Sequence, residues 1–508
     1  MNDKKQVKYG ALLSYFLIIV NTVYGLIMTP YIVSSLGEGQ YGVYKIVASI
    51  SASVAVLDLG LGSTCLRYVA KYNAGKEKAK TENFIAMSLV QCGFISAVII
   101  IVCAVIYFLI PRMYANTMTA QDIALAKQLF IGLVINMGLH IFENIFQGVI
   151  SGHNKFTISN SLKLGRVVIR IILLYIVLAI YPSAKLLVGV DIFMTVLLLV
   201  CELVYIKMAL GLKIRLKKWD NRVFRESLKY SVLMFIQAIV AQINTNLDNV
   251  IIGAFVSTVA VTIYAYGLQL FSMFQQLAVS ISSVMLPTIM KKVHNNASNE
   301  ELENTVIKVG RIQFMLLGAA VAGFIAVGRE FILLWLGQAY SNVWIIALVL
   351  MIPSMFELVQ NVCLSILRAQ NRMKFKTFAV LATAVLNLVI TIVLVKKYGY
   401  VSACYGTAIS YVIGNIVIMN IYYQRVIKLN IFRIFRNIFK RTGLCLVLPF
   451  FAAYSMSRFI SGSWVYLAIK VCVFALLYGI CMIVYGFNDF EKNLFFGKLL
   501  RVIKRDNA

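Results

Sequence analysis

Charge is scarce in this 508-residue chain: Asp, Glu, Lys and Arg make up only 13% of it, roughly half the share of a soluble globular protein. Acids are the rarest, with 20 Asp and Glu against 48 Lys and Arg, and there are only three histidines. So few imidazoles offer little for acid-base work. There is no GxxxxGK[ST] phosphate loop, no HExxH and no GxSxG, and no polar stretch is long enough to form a nucleotide-binding domain. The nine cysteines are scattered, mostly inside apolar blocks (Cys92, Cys103, Cys201, Cys472), without the paired spacing of a metal site or a disulfide framework. No catalytic residue, metal site or cofactor is expected from this inventory, and enzymatic activity is not expected.

What the chain has instead is hydrocarbon. Hydrophobic residues make up 61% of it and the mean hydropathy is +0.84, more apolar sequence than a water-soluble fold of this length can hide. It arrives in about fourteen blocks, from 10–33 to 464–486, each close to the ~20 residues a helix needs to cross ~30 Å of hydrocarbon. The first block follows a basic start and runs past Tyr31 without a small-residue cleavage site, which reads as a retained membrane helix. The net charge of +28 would suggest nucleic acid in a soluble protein, but 39 of the 48 cations fall in the termini and alternate loops that odd-even counting assigns to one side. The positive-inside rule then places both termini in the cytoplasm and gives the basic excess to topology and lipid headgroups, not to nucleic acid.

The widest basic break, KIRLKKWDNRVFR at Lys213–Arg225, follows the sixth block. The expected organisation is an N-lobe (1–212), a linker (213–227), a C-lobe (228–423), an interfacial basic amphipathic segment (424–441), a last helix pair (442–487) and a tail (488–508). The lobes share a weak parallel repeat: Tyr31–Tyr44 resembles Val250–Gly267, and Phe142–Phe156 resembles Phe356–Phe375.

Polar residues inside spans are costly and normally face protein or water. Asn136, His140, Glu143 and Gln147 fall at intervals of four, three and four, which stacks them on one helical stripe. Ser354, Glu357, Asn361 and Ser365 repeat the pattern in the tenth block. The seventh carries Gln237, Asn244 and Asp248, and the eighth Gln269, Ser272, Gln276, Ser280 and Ser283. Singly these are ordinary helix glue; together they predict a wet cavity. Lys163, Arg166 and Arg170 recur at three and four on the fifth block, and Lys45 shares a face with Ser49 and Ser53. Such cations could hold a phosphate headgroup or simply snorkel to the bilayer surface, the better reading for Lys163 and Arg166. Asp58 lies in LDLGLGST, where glycines permit close packing and Arg67 is a possible partner. Glu202, near Lys207, reads as interfacial. Pro30 is read as ending the first helix, and Pro287 and Pro353 as interrupting the eighth and tenth.

Three stretches, TPYIVSSLGEGQYGVYKI (Thr29–Ile46), VLDLGLGSTCLRYVAKY (Val56–Tyr72) and NLDNVIIGAFVSTVAVTIYAYG (Asn246–Gly267), resemble the polysaccharide and O-antigen flippases (Wzx-like, lipopolysaccharide biosynthesis proteins) of the multidrug/oligosaccharidyl-lipid/polysaccharide (MOP) superfamily. The resemblance implies an all-α, polytopic, MATE-like fold of two six-helix lobes in a V, with two added helices. It implies movement of undecaprenyl-(pyro)phosphate-linked oligosaccharide from the cytoplasmic to the outer leaflet of the bacterial inner membrane. No ATP is needed, and a proton or sodium gradient drives some members. The expected partners are the lipid-linked oligosaccharide, membrane lipids, a polysaccharide polymerase and glycosyltransferases. Lys45, Arg166, Arg170, Asn21, Gln147 and Gln276 are the substrate-contact candidates, and Glu143, Asp248 and Glu357 the ion-coupling candidates. A lipid II flippase, a cation-coupled drug exporter and, from another class, a membrane glycosyltransferase or O-antigen ligase are the rival readings.

Overall fold

The computed structural model describes residues 3–58, 60–216, 219–227, 246–295, 297–370, 372–459 and 462–493. The regular elements among them are helices: α1 (Asp3–Leu36), α2 (Glu38–Ala55), α3 (Leu61–Ala74), α4 (Lys78–Tyr114), α5 (Ala120–Gly152), α6 (Phe156–Ile180), α7 (Ala184–Met208), α8 (246–255), α9 (Thr258–His294), α10 (Asn299–Leu336), α11 (Asn342–Val359), α12 (Asn361–Ala369), α13 (Met373–Tyr398), α14 (Ser402–Tyr411), α15 (Met419–Arg425), α16 (Ile431–Thr442), α17 (Val447–Phe459) and α18 (Trp464–Cys481). Eleven stretches among the described residues are long and apolar enough to cross a membrane. This is a multi-pass membrane protein. Helix α6 has the length of a span but carries Lys163, Arg166 and Arg170, and much of the seventh apolar block, with Gln237 and Asn244, lies outside the described residues.

The chain divides into two compact units, Met1–Ala265 with Leu388–Ala403, and Tyr266–Asn387 with Cys404–Ala508. In the first, α5 is the hub, packed on α2, α3, α4 and α7, while α1 packs on α6. The glycines of LDLGLGST explain why α3 can lie so close to α5. A Cβ on Gly148 would sit 2.5 Å from the Gly62 carbonyl oxygen, one on Gly62 2.8 Å from that of Asn144, and one on Gly152 2.8 Å from the Val69 side chain. Gly60 has φ +62°, a left-handed conformation that glycine reaches without strain, and its N–H donates to Asp58 Oδ1 at 2.8 Å. That turn splits one long apolar run into α2 and α3. Helix α1 runs through Pro30 to Leu36, contrary to the expected stop at TP; Gly37, with φ +80°, ends it. The outward faces are apolar: on α4, Phe94, Ile101 and Phe108 are exposed at seven-residue spacing, a stripe suited to lipid.

In the second unit α10 is the hub, packed on α11, α16, α17 and α18. Charged contacts recur along its length. Glu303 accepts from the Asn430 N–H (2.7 Å) and from Arg433 (3.2 Å). Arg311 binds both oxygens of Glu491 at 2.6 and 3.0 Å and the carbonyls of Asn437 and Gly486. Glu330 meets the fully buried Lys470 at 2.5 Å. Ridges close the rest: a Cβ on Gly310 would meet Ile438 at 2.6 Å. Helix α16 is amphipathic as expected, but its Ile431, Ile434 and Ile438 are buried within the protein rather than offered to lipid; Phe432 and Arg436 face outward. The tenth span is broken at Gln360, seven residues after Pro353, whereas the α9 backbone continues through position 287.

Candidate functional site

The polar residues of the first unit gather where α5, α6 and α7 meet. On α7, Asp191, Thr195 and Glu202 share a stripe, at intervals of four and seven, and the α6 cations at 163, 166 and 170 face it. The resulting seam has layers. In one, Arg170 Nε donates to Asp191 Oδ1 at 2.5 Å and Arg170 Nη1 to the Tyr24 hydroxyl of α1 at 2.6 Å. In the next, Arg166 Nη1 reaches both oxygens of Glu143 (2.9 and 3.1 Å) and Nη2 reaches Thr195 Oγ1, whose own hydroxyl donates to Asn136 Oδ1 at 2.8 Å. His140 Nδ1 lies 3.5 Å from Glu143. The third layer holds Glu202, with Gln147 and Lys163 bearing on it.

Arg166 therefore turns inward and does not snorkel, because a carboxylate that is itself almost fully buried holds it. Glu202 is not interfacial: it is 1% exposed, and neither oxygen makes a well-formed hydrogen bond although Gln147 approaches it. Helical phase favours the inward position over the interfacial one, since Asp191 and Glu202 are eleven residues apart, three helical turns, on one face. The basic neighbour Lys207 drew attention to the wrong side of the helix.

Lys45 stands apart from these pairs. Its ammonium lies 5.3 Å from the centroid of the Tyr41 ring, in the electrostatic neighbourhood of Tyr24 and Arg170, with no carboxylate in ion-pair distance among the described residues. Arg170 stacks over Tyr24 at 5.4 Å, and its Nη2 has no protein acceptor among the described residues. On the α2 face that carries Lys45, Ala48, Ala52 and Ala55 follow at three, four and three and line a cavity of about 290 Å³. Asn136, His140 and Asn144 of α5 form the opposite wall, and Asp58 closes one end. Asn144 Nδ2 donates to Asp58 Oδ2 at 3.2 Å.

The single stripe expected on α5 is thus two. Asn136, His140 and Asn144 line the cavity, with Asn136 also meeting Thr195 of α7 and His140 meeting Glu143, while Glu143 and Gln147 face α6 and α7. Asn144 escaped notice because it lies one position off the four-three-four pattern. Of the remaining candidates, Asn21 is exposed on α1, one turn before Tyr24. Asp248 is 3% exposed and accepts from the Tyr264 hydroxyl at 2.6 Å. In the second unit Glu357 accepts from Asn415 at 3.0 Å, where a π-helical turn at Val412–Ile418 reshapes the chain between α14 and α15. Gln276 is half-buried on α9 and donates to Ser272 at 3.4 Å.

Among solved structures, the lipid II flippase MurJ in an inward closed conformation superimposes with a TM-score of 0.71 at 16% identity, covering 97% of this chain and 99% of that one. An inward-facing multidrug resistance MATE family transporter of the MOP superfamily gives 0.66 at 15% identity, covering 80% and 96%. By sequence, the uncharacterized membrane protein EpsK of Bacillus subtilis (strain 168) is 23% identical over 446 residues, 83% of this chain and 84% of that protein. Residues 8–293 match the polysaccharide biosynthesis protein family, more than half of the chain. With the fold of the MOP transporters and that match across its first eight blocks, the chain belongs to the polysaccharide biosynthesis protein family.

Proposed function

We propose that this protein flips undecaprenyl-(pyro)phosphate-linked oligosaccharide repeat units from the cytoplasmic to the outer leaflet of the bacterial inner membrane by alternating access, for surface polysaccharide synthesis. Fourteen spans with both termini in the cytoplasm, as the loop cations imply, belong to this reading. The observation that carries it is Lys45: a half-buried cation without a carboxylate among the described residues, beside an arginine with donors to spare. Leaving a charge uncompensated inside a membrane unit is expensive, and a phosphate arriving from the bilayer would relieve it through charge-assisted hydrogen bonds. The amide and imidazole wall of the neighbouring cavity supplies donors and acceptors for sugar hydroxyls. The second unit has, by itself, an almost wholly apolar hollow of about 300 Å³ between α10, α17 and α18, lined by Gly323, Val327, Phe331, Ala453, Leu467 and Phe474.

A cation-coupled drug exporter would favour acids at the binding site, and Asp58 on the cavity is the feature that keeps this second reading in view. The two separate on one experiment. Lys45→Ala should reduce surface polymer about tenfold or more, the loss expected for one charge-assisted contact of about 1.5–3 kcal/mol, while protein level in the membrane stays unchanged. Undiminished polymer in Lys45→Ala, with drug resistance lost in Asp58→Asn, would favour the exporter.

A further inference from the structure

Among the described residues, Glu202 is the only acid with both carboxyl oxygens buried and neither in a well-formed hydrogen bond, the Gln147 side chain being the polar group that approaches it. Its helix packs on α5, α6 and α2. From α5 come Glu143 and Gln147, and from α6 Lys163 and Arg166. Helix α2 meets the other end of α7, where Tyr44 senses Asp191, and Asp191 is engaged by Arg170. Arg166 is likewise engaged by Glu143. The depths agree: Gln147 lies five residues before the end of α5, Lys163 seven after the start of α6 and Glu202 six before the end of α7, each about 8–11 Å along its helix. Lys163 is half-buried and has no carboxylate in ion-pair distance among the described residues. The layer therefore holds one acid and one cation that face each other without being joined, unlike the two layers beside it.

We propose that Glu202 is a proton-exchange site: its carboxyl binds a proton drawn from water in one state of the unit and returns it to water in another, with Lys163 as the alternate counter-ion. Proton and ammonium replace one another at the same oxygens. When the proton is bound, Lys163 is released toward the headgroups; when it leaves, the Lys163 ammonium closes onto the carboxylate, and the layer keeps the same net charge. No other bond forms or breaks. The Glu143–Arg166 and Asp191–Arg170 pairs stay joined throughout, and the coupling role moves from Glu143, Asp248 and Glu357 to Glu202. As a coupling site it rests on the transport reading, but its protonation does not, so it is tested without substrate.

The test is reaction of the full-length protein in detergent micelles with dicyclohexylcarbodiimide, an apolar reagent that adds to a protonated carboxyl shielded from water. The carboxyl O–H adds across one C=N bond and the acyl group then shifts to nitrogen, leaving a stable adduct and no leaving group. Peptide mass spectrometry should place the adduct on Glu202 ahead of Glu143 and Asp191, with its rate falling about tenfold per pH unit on the alkaline side of the titration. Glu202→Gln should abolish it and Glu143→Gln should leave it. Adducts on other acids with Glu202 unmodified, or a Glu202 adduct indifferent to pH, would overturn the proposal. If Glu202→Gln does not fold, the adduct map of the unaltered protein decides the matter alone.

Discussion

One guanidinium nitrogen of Arg166 donates to both carboxylate oxygens of Glu143, at 2.9 and 3.1 Å, across the boundary between α6 and α5. The pair ties together two residues that sequence reasoning assigned to different tasks, one to substrate and one to an ion. Each neutralises the other, and the second guanidinium nitrogen carries the contact on to Thr195 of α7.

Removing one member should strand the other. Glu143→Leu is expected to lower stability by about 3 kcal/mol, the scale for breaking a buried ion pair from one side, and Arg166→Leu by a similar amount. The double substitution should cost clearly less than the sum. Melting temperatures of the three variants in one detergent check this; additive losses would show that the two side chains do not interact.

The close approach of α3 and α5 makes a sharper demand. Gly148→Ala would put a methyl group 2.5 Å from the Gly62 carbonyl oxygen, whereas Gly138→Ala on the same helix meets nothing within 4 Å. Overpacking of this kind costs about 1–3 kcal/mol, so Gly148→Ala should be the less stable of the two by that amount. Equal melting temperatures would contradict the packing described.

Arg311 joins three chain segments through Glu491, Asn437 and Gly486. Glu491→Ala leaves that buried guanidinium short of its counter-ion and should destabilise the protein several-fold more than Glu77→Ala, which removes only the exposed pair with Lys80. Thermal unfolding and protease sensitivity of the two variants provide the comparison.

Filling the 290 Å³ cavity separates function from fold. Ala48→Phe projects a ring from the α2 wall toward Asn136 and His140. Polymer export should fall sharply while the protein accumulates in the membrane at its usual level; normal export would remove the cavity from the substrate path.

Much of this was legible in the chain itself. Blocks of membrane length and alternating cations follow from the cost of exposing backbone and charge to hydrocarbon, which leaves a strong mark on any sequence. The polar residues of α5 and the spacing of Lys163, Arg166 and Arg170 stand out in the sequence because helical phase is fixed, but the seam they form does not, and Arg166 reads there as snorkelling. Partners were not visible. Nothing in the phase of α6 says that Arg166 meets Glu143 or that Arg170 meets Asp191, because pairing depends on how three helices rotate against one another. Glu202 reads as interfacial from its neighbour Lys207, and Asn144 stands one position off the α5 stripe; in both cases the rotation of the helix against its neighbours decides the outcome. The burial of the α16 isoleucines was hidden too, because an apolar face toward lipid and one toward α10 have the same sequence.

The account turns on Lys45 as the cation that receives the substrate phosphate. The direct measurement is translocation of an undecaprenyl-pyrophosphate-linked oligosaccharide in liposomes containing the purified protein, read by the exposure of its sugars on the far leaflet. Lys45→Ala should slow it about tenfold or more and Lys45→Arg should retain most of it. An unchanged rate in Lys45→Ala, with equal amounts of correctly inserted protein, would contradict the account.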